Sequence, residues 1–176
     1  MEISIRQEEV KDYQEVEQVV EKAFLEAEMS DYREHELVRR LRVSAEFIPE
    51  LSLVALAEEK LVGHILLTKI EIRDEDQGIP SLALAPVAIL PEYQGQGIGK
   101  ILIELAVQKA KDLGYSSIIV LGHEKYYPKF GFVPTSKWGI KPPFEVPEEV
   151  FMGLELVEGA LQGVKGTVVY SKAFFE

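Results

Sequence analysis

The chain has 176 residues and 19.8 kDa, is 47% hydrophobic and 28% charged, and carries no cysteine and a formal net charge of -11. A chain of this size buries roughly 70% of the surface its unfolded form exposes, so one domain with a sizeable core needs neither disulfides nor a structural metal. The lack of cysteine excludes disulfide frameworks, Cys-based zinc sites, iron-sulfur clusters and thiol catalysis, and the acidic balance argues against nucleic-acid and anionic-membrane partners, which require a basic face.

The N-terminus MEISIRQEEV is too acidic for a signal peptide, and no apolar run is long enough for a membrane helix. A cytoplasmic protein is the expectation. The charge is uneven: residues 1–36 hold 12 acids against 4 bases, 37–91 hold 8 against 6, and 92–176 hold 10 against 9.

Residues 3–6 alternate as a short strand. Asp12 is placed to cap a helix carrying Val16, Val19, Val20, Ala23, Phe24 and Ala27 on one face, with glutamates opposite. Ser30 or Asp31 caps a second helix with Leu37, Val38 and Leu41 inward and the basic end Arg39, Arg40 and Arg42 at the negative pole of its dipole. Pro49 marks a break after it. LSLVALAEE and LVGHILLTKIEI flank a polar turn at Glu59 and Lys60 and read as an antiparallel hairpin, with His64 a satisfied core histidine.

Gly78 and Pro80 punctuate the next junction. Residues 81–89 form a fourth strand, apolar throughout and therefore central, yet interrupted by Pro86, which a central strand tolerates only at a bulge. A helix with Ile98, Ile101, Leu102, Leu105, Ala106 and Leu113 on one face ends at Gly114, and SSIIVLG is a fifth strand. HEKYYPKFGF reads as a helical turn entering another strand. Pro134, Pro142, Pro143 and Pro147 make a loop, and 154–161 and 167–174 offer two final strands. The simplest layered solution is α/β (α+β): one domain over 1–176 with a single mixed, mostly antiparallel twisted sheet of about seven strands and helices on both faces. Residues 135–166 are a Pro-rich loop and C-terminal strand elaboration.

The most informative segment is Gln94-Gly95-Gln96-Gly97-Ile98-Gly99, between an apolar strand and a helix start. Such a turn aims backbone N–H groups and the helix dipole at one point, which suits a phosphate or pyrophosphate. A Walker loop would need Gly at 94 and Ser or Thr at 101, where Gln94 and Ile101 stand. A Rossmann fingerprint would need its third glycine at Lys100 and an acid near Ile119.

The segment resembles the GCN5-related N-acetyltransferase (GNAT) family, whose motif of Gln or Arg, two residues, Gly, any residue, then Gly or Ala is matched by Gln94, Gly97 and Gly99. A second match follows 33 residues on, where Tyr126-Tyr127-Pro128-Lys129-Phe130-Gly131-Phe132 fits the family's tyrosine, three residues, Gly-Phe. The resemblance implies an acyl-CoA N-acyltransferase-like fold and transfer of acetyl from acetyl-CoA to an amine of a small molecule or peptide.

By that resemblance, Gln94, Gly95, Gln96, Gly97, Ile98, Gly99 and Lys100 hold the CoA pyrophosphate. Val87, Ala88 and Ile89 pair with the pantetheine arm beside a bulge at Pro86, and an N–H near Val87 polarises the thioester. Tyr127 is the expected general acid for the departing thiolate, a role that contributes about 10²- to 10⁴-fold, while Tyr126 is expected to pack. The Asn that many members carry seven residues before this tyrosine is Val120 here, and residues 82–89 hold no titratable side chain to act as base. His123, Glu124 and Glu92 stand near the open sheet edge, where capping and surface roles are the alternative to a base. Trp138 either shapes an acceptor pocket or anchors its loop. The histidines share no metal-binding spacing, so no metal is expected. A non-catalytic acyl-CoA-binding sensor is the competing reading, a homodimer stays open, and the acidic N-terminal segment suits a cationic acceptor.

Overall fold

The computed structural model describes residues 2–27 and 30–176. Strand β1 (Ile3–Gln7) leads through a 3-10 turn at Val10–Asp12 into helix α1 (Tyr13–Phe24), which buries Val16, Val19 and Val20. Ala27 lies beyond the helix end. Asp12 occupies the N-cap position, but its carboxylate does not cap α1. It accepts two hydrogen bonds from the Arg6 guanidinium, at 2.7 and 3.0 Å, and one from the Glu9 N–H. The Arg6 hydrogen bond holds the Asp12 carboxyl below its ordinary pKa.

Helix α2 (Glu34–Arg42) buries Val38 and Leu41. Its N-cap is Arg33 rather than Ser30 or Asp31, whose oxygens accept from the N–H groups of Tyr32 and Arg33 in local turns. Strand β2 (Phe47–Ala57) contains Pro49, which therefore does not end an element; it falls at the register shift between Phe47 and Ser52, where the ladder needs no donor. The turn into β3 (Lys60–Asp74) is Glu58-Glu59, both at positive φ, one residue earlier than the sequence suggests; Lys60 already pairs with Ala57.

Strand β4 (Gln77–Ile89) begins before the expected boundary, and Gly78 and Pro80 sit in its ladder opposite Arg73 and Glu71. There β4 pairs with β3 alone, so Pro80 has an open side on which to lack a donor. Helix α3 (Ile98–Asp112) ends as expected, with Gly114 in the left-handed region. Strand β5 (Ser117–Leu121), a 3-10 turn at Tyr127–Phe130, β6 (Val133–Pro134) and β7 (Ile140–Lys141) follow. The last strands are β8 (Phe151–Glu155) and β9 (Gly166–Val169), so the spans 154–161 and 167–174 are displaced and shortened.

The sheet order is β1-β2-β3-β4-β5-β8-β6, with β9 added to β3 and β7 to β9. Among the described residues the sheet has nine strands rather than the expected seven or so, because it includes the two-residue strands β6 and β7. Pairing is antiparallel except at β4–β5 and β7–β9. Positions 61–68 of β3 are all buried, which requires cover on both faces, and α1 and α3 each pack on the central strands.

A buried polar cluster joins β1, α1 and α2 to the sheet. Arg42 donates to Glu8 at 2.7 Å and to Glu17 at 2.6 Å, Ser52 donates to Glu8 at 2.8 Å, and the Ser52 hydroxyl lies 3.1 Å from His64 Nε2. His64 is a core residue, as expected, but only half satisfied: among the described residues its Nδ1 has no partner. Burial, then the charge of Arg42, pushes its pKa down to about 3. The folded state therefore holds His64 neutral while the unfolded chain takes up a proton near pH 6.5. His64 favours folding fully above pH 6.5 and loses that contribution as pH falls toward 3. Urea unfolding of His64→Gln should show a flatter loss of stability than wild type between pH 6.5 and 5, above the range in which Asp12 and Glu17 titrate. Parallel curves would exclude His64 as the titrating group.

Candidate functional site

The site is built where two strands part. In β4, Leu84 pairs with Leu67 and Val87 with Ile65, so Ala85 and Pro86 together face Leu66 in a bulge. On its other side β4 meets β5 only at Leu82–Ile118 and Ala83–Ile119. Beyond that point β5 continues beside β8 and β4 beside β3, leaving a gap between them. The Leu90 N–H donates to Val62 O at 2.9 Å. By alternation the peptide groups of Ala88 also face β3, and those of Val87 and Ile89 face the gap.

The glycine turn stands at the mouth of this gap. Gly95 and Gly97 have φ of 77° and 85°, a region that costs other L-residues about 1–2 kcal/mol. Gly97 is the N-cap of α3 and offers no side-chain acceptor, so the N–H groups of Ile98, Gly99 and Lys100 in the first turn remain available. The Gln94 side chain donates to Ile89 O at 3.0 Å, which ties the turn to the end of β4.

A cleft of about 580 Å³ opens there, lined by Ile89, Gln94, Gly95, Gly97, Ile98, Gly99 and Lys100. Val87, Ala88, Gln96 and Tyr127 do not line it; Ala88 is 2% exposed and the Gln96 amide reaches back to Glu92 O. Tyr93, Glu104, Tyr126, Lys129 and Phe130 complete the lining. From sequence, Tyr126 has a packing role only and the other four are not singled out, although Tyr126, Lys129 and Phe130 fall within the second motif and Glu104 lies one helical turn beyond Lys100.

Tyr126 does more than pack: a Cβ on Gly99 would stand 3.2 Å from its hydroxyl, so the third glycine of the turn makes room for it. Tyr127 lies behind it, 7% exposed, edge-on to Tyr126 and Phe132 and against Gly122, where any side chain would overlap its ring. Burial, then the neighbouring Tyr126, raises the Tyr127 phenol well above its ordinary pKa, which makes it a weaker proton donor than a free tyrosine. His123 Nδ1 accepts from the Lys125 N–H, a local turn role. Trp138 lies against Gly153 of β8 and anchors its loop there. Among the described residues no group of three or more His, Asp or Glu side chains is placed to hold a metal ion, and no helix is long and apolar enough to cross a membrane.

A mixed sheet whose one central parallel pair parts beside a glycine-rich helix start is the architecture of the acyl-CoA N-acyltransferases. The Acetyltransferase (GNAT) family model matches residues 15–132, and the chain belongs to that family. It is 40% identical over 118 residues to the uncharacterized N-acetyltransferase YjhQ of Escherichia coli K12, an overlap that spans 66% of this chain and 65% of that protein's length. With the uncharacterized N-acetyltransferase YhbS of the same strain it shares 28% identity over 125 residues, 70% of this chain and 74% of the relative. Among solved structures, a GNAT family acetyltransferase from Brucella melitensis in complex with acetyl-CoA superposes with a TM-score of 0.79 at 30% identity, covering 98% of each chain. Escherichia coli YhbS in complex with CoA shares the fold at a TM-score of 0.88 and 24% identity, covering 99% of this chain and 92% of that one.

Proposed function

We propose that the chain transfers an acetyl group from acetyl-CoA to an amine by direct attack in a ternary complex. The observation that carries this reading is the gap between β4 and β5, with the peptide groups of Val87 and Ile89 turned into it and the free N–H groups of the α3 start at its mouth. The first-turn N–H groups, with Lys100, suit a pyrophosphate. The open edge of β4 suits the amides of a pantetheine arm. The Val87 N–H is the donor for the charge that develops on the thioester oxygen.

The amine nitrogen forms the new C–N bond as the C–S bond breaks. Tyr127 supplies the proton that the departing thiolate takes, and the proton that the nitrogen releases returns through solvent to the Tyr127 phenol, leaving an amide, free CoA and the acid restored. Residues 82–89 hold no base. An α-amine, with a pKa of roughly 7.7–8.0, reaches its reactive neutral form with little help, unlike a lysine amine near 10.4.

Titration calorimetry with acetyl-CoA and CoA, followed by thiol release over polyamines, aminoglycosides, amino acids and peptides, tests the reading. Micromolar binding with release for at least one acceptor class is expected. Binding with no release from any acceptor would favour a sensor that holds acyl-CoA without turnover, and no binding would remove both.

The acceptor is read as a cation approaching over the acidic N-terminal edge. Part of that charge is compensated within the fold, because Arg39 and Arg42, just past residue 36, pair with Glu17 and Glu8. The KM for the acceptor should therefore rise only a few-fold between low and physiological salt, as screening of exposed charge allows; no rise would remove steering.

A further inference from the structure

Gly63 and Ala55 lie beside Ile89 on one face of three adjacent strands: Gly63 pairs with Ile89 across β3–β4 and with Ala55 across β2–β3. Ile89 is the one large side chain of the three, half-buried, and a lining residue of the cleft. A Cβ built on Gly63 would stand 2.8 Å from Ile89 Cδ1, 3.3 Å from Ala55 Cβ and 3.2 Å from Ala88 O. From the other side, a Cβ on Gly99 would approach Ile89 Cγ1 at 3.9 Å. Ile89 is thus held between a glycine of β3 and a glycine of the α3 start.

We propose that Gly63 is a positioning residue for the cleft: its missing side chain lets Ile89 lie flat on the sheet, and this sets the depth of the groove between β4 and the glycine turn. The proposal rests on the reading that this groove takes the pantetheine arm of acetyl-CoA. Gly63 has an ordinary strand conformation and is buried, so a turn or a left-handed φ does not explain its presence. What an added methyl group meets first is the far end of Ile89, a movable side chain with α3 above it and the cleft beside it. The neighbouring Ala55 and Ala88 carbonyl leave the methyl little room to move away, so Ile89 must swing toward the cleft.

Gly63→Ala should weaken acetyl-CoA binding about tenfold, the scale of over-packing that displaces a side chain into a groove. Ile89→Val removes Cδ1, the atom that collides, so the double variant Gly63→Ala/Ile89→Val should bind within about threefold of Ile89→Val alone, a coupling that independent sites would not show. Calorimetric Kd values for wild type, both single variants and the double variant read this directly. Equal weakening by Gly63→Ala in both backgrounds, or none in either, overturns the proposal.

The displacement also has a readout without ligand. In methyl-labelled protein, the Ile89 δ1 resonance should shift on Gly63→Ala while methyl groups distant from the cleft hold their positions. An unmoved Ile89 methyl overturns the proposal even if affinity falls. Wild-type protein that fails to bind acetyl-CoA while the methyl still shifts would overturn the acetyltransferase reading and leave the packing relation between Gly63 and Ile89 standing.

Discussion

Gly97→Glu is expected to lower acetyl-CoA affinity at least a hundredfold, a change of about 3 kcal/mol or more, while the protein remains folded. Gly97 is the N-cap of α3 at φ 85°, and a Cβ there meets nothing within 4 Å, so the cost to the fold is the left-handed conformation, about 1–2 kcal/mol. The cost to binding is larger for two reasons. The new carboxylate stands beside the first-turn N–H groups and competes for them, and it repels the charge of a pyrophosphate in a cleft whose cations are Lys100 and Lys129. Gly97→Ala separates strain from charge and should lose less than about tenfold. Calorimetry for affinity and thermal melting for the fold decide it; a Gly97→Glu variant that binds within threefold of wild type removes the glycine turn from the CoA site.

Tyr127→Phe is expected to lower kcat by about 10²-fold or more, the range of a lost general acid, with acetyl-CoA affinity unchanged. The ring stays in its aromatic cluster because Phe fits against Gly122 and Phe132 as Tyr does. What is lost is a phenol that is protonated at neutral pH, as any tyrosine is, and that burial makes a weaker proton donor than a free tyrosine. Tyr126→Phe is the matched control. Its hydroxyl packs on Gly99 at the turn, so its removal should alter affinity more than kcat. Unchanged turnover in Tyr127→Phe would exclude it as the acid, and a fall in Tyr126→Phe instead would assign the role to Tyr126.

Features of the fold that depend on neighbours in sequence were legible. The apolar spacing of α1, α2 and α3, the β2–β3 hairpin, the Gly114 cap and the glycine turn each follow from residues within a few positions of one another. Punctuating residues misled where tertiary context excuses them. Pro49 sits at a register shift, Pro80 has no partner strand on one side, and Gly78 faces Arg73 inside a regular ladder. Capping misled in the same way, because Asp12 finds Arg6 on β1 and leaves the helix uncapped.

The site divides along the same line. The glycine turn and the tyrosine motif stand out in the sequence because backbone conformation and short spacing define them. Lys129, Tyr126 and Phe130 as the opposite wall of the cleft do not, because the 3-10 turn that carries them reaches α3 only through folding. The charge of -11 shows the difference most plainly. Counted along the chain, its excess lies in residues 1–36; in the fold, Arg39 and Arg42 return to Glu17 and Glu8, and part of that excess becomes buried structure.

From composition and local pattern alone followed the class of chain, its helices and hairpin, and a turn fit for phosphate, because each rests on residue type and short-range geometry. Tertiary structure decided that β8 enters between β5 and β6, that β9 joins β3, and that β4 parts from β5 after two paired residues. It also decided that Ile89 rests on a glycine one strand away. These depend on contacts between residues distant in the chain, where burial and packing choose the partner and local propensity is silent.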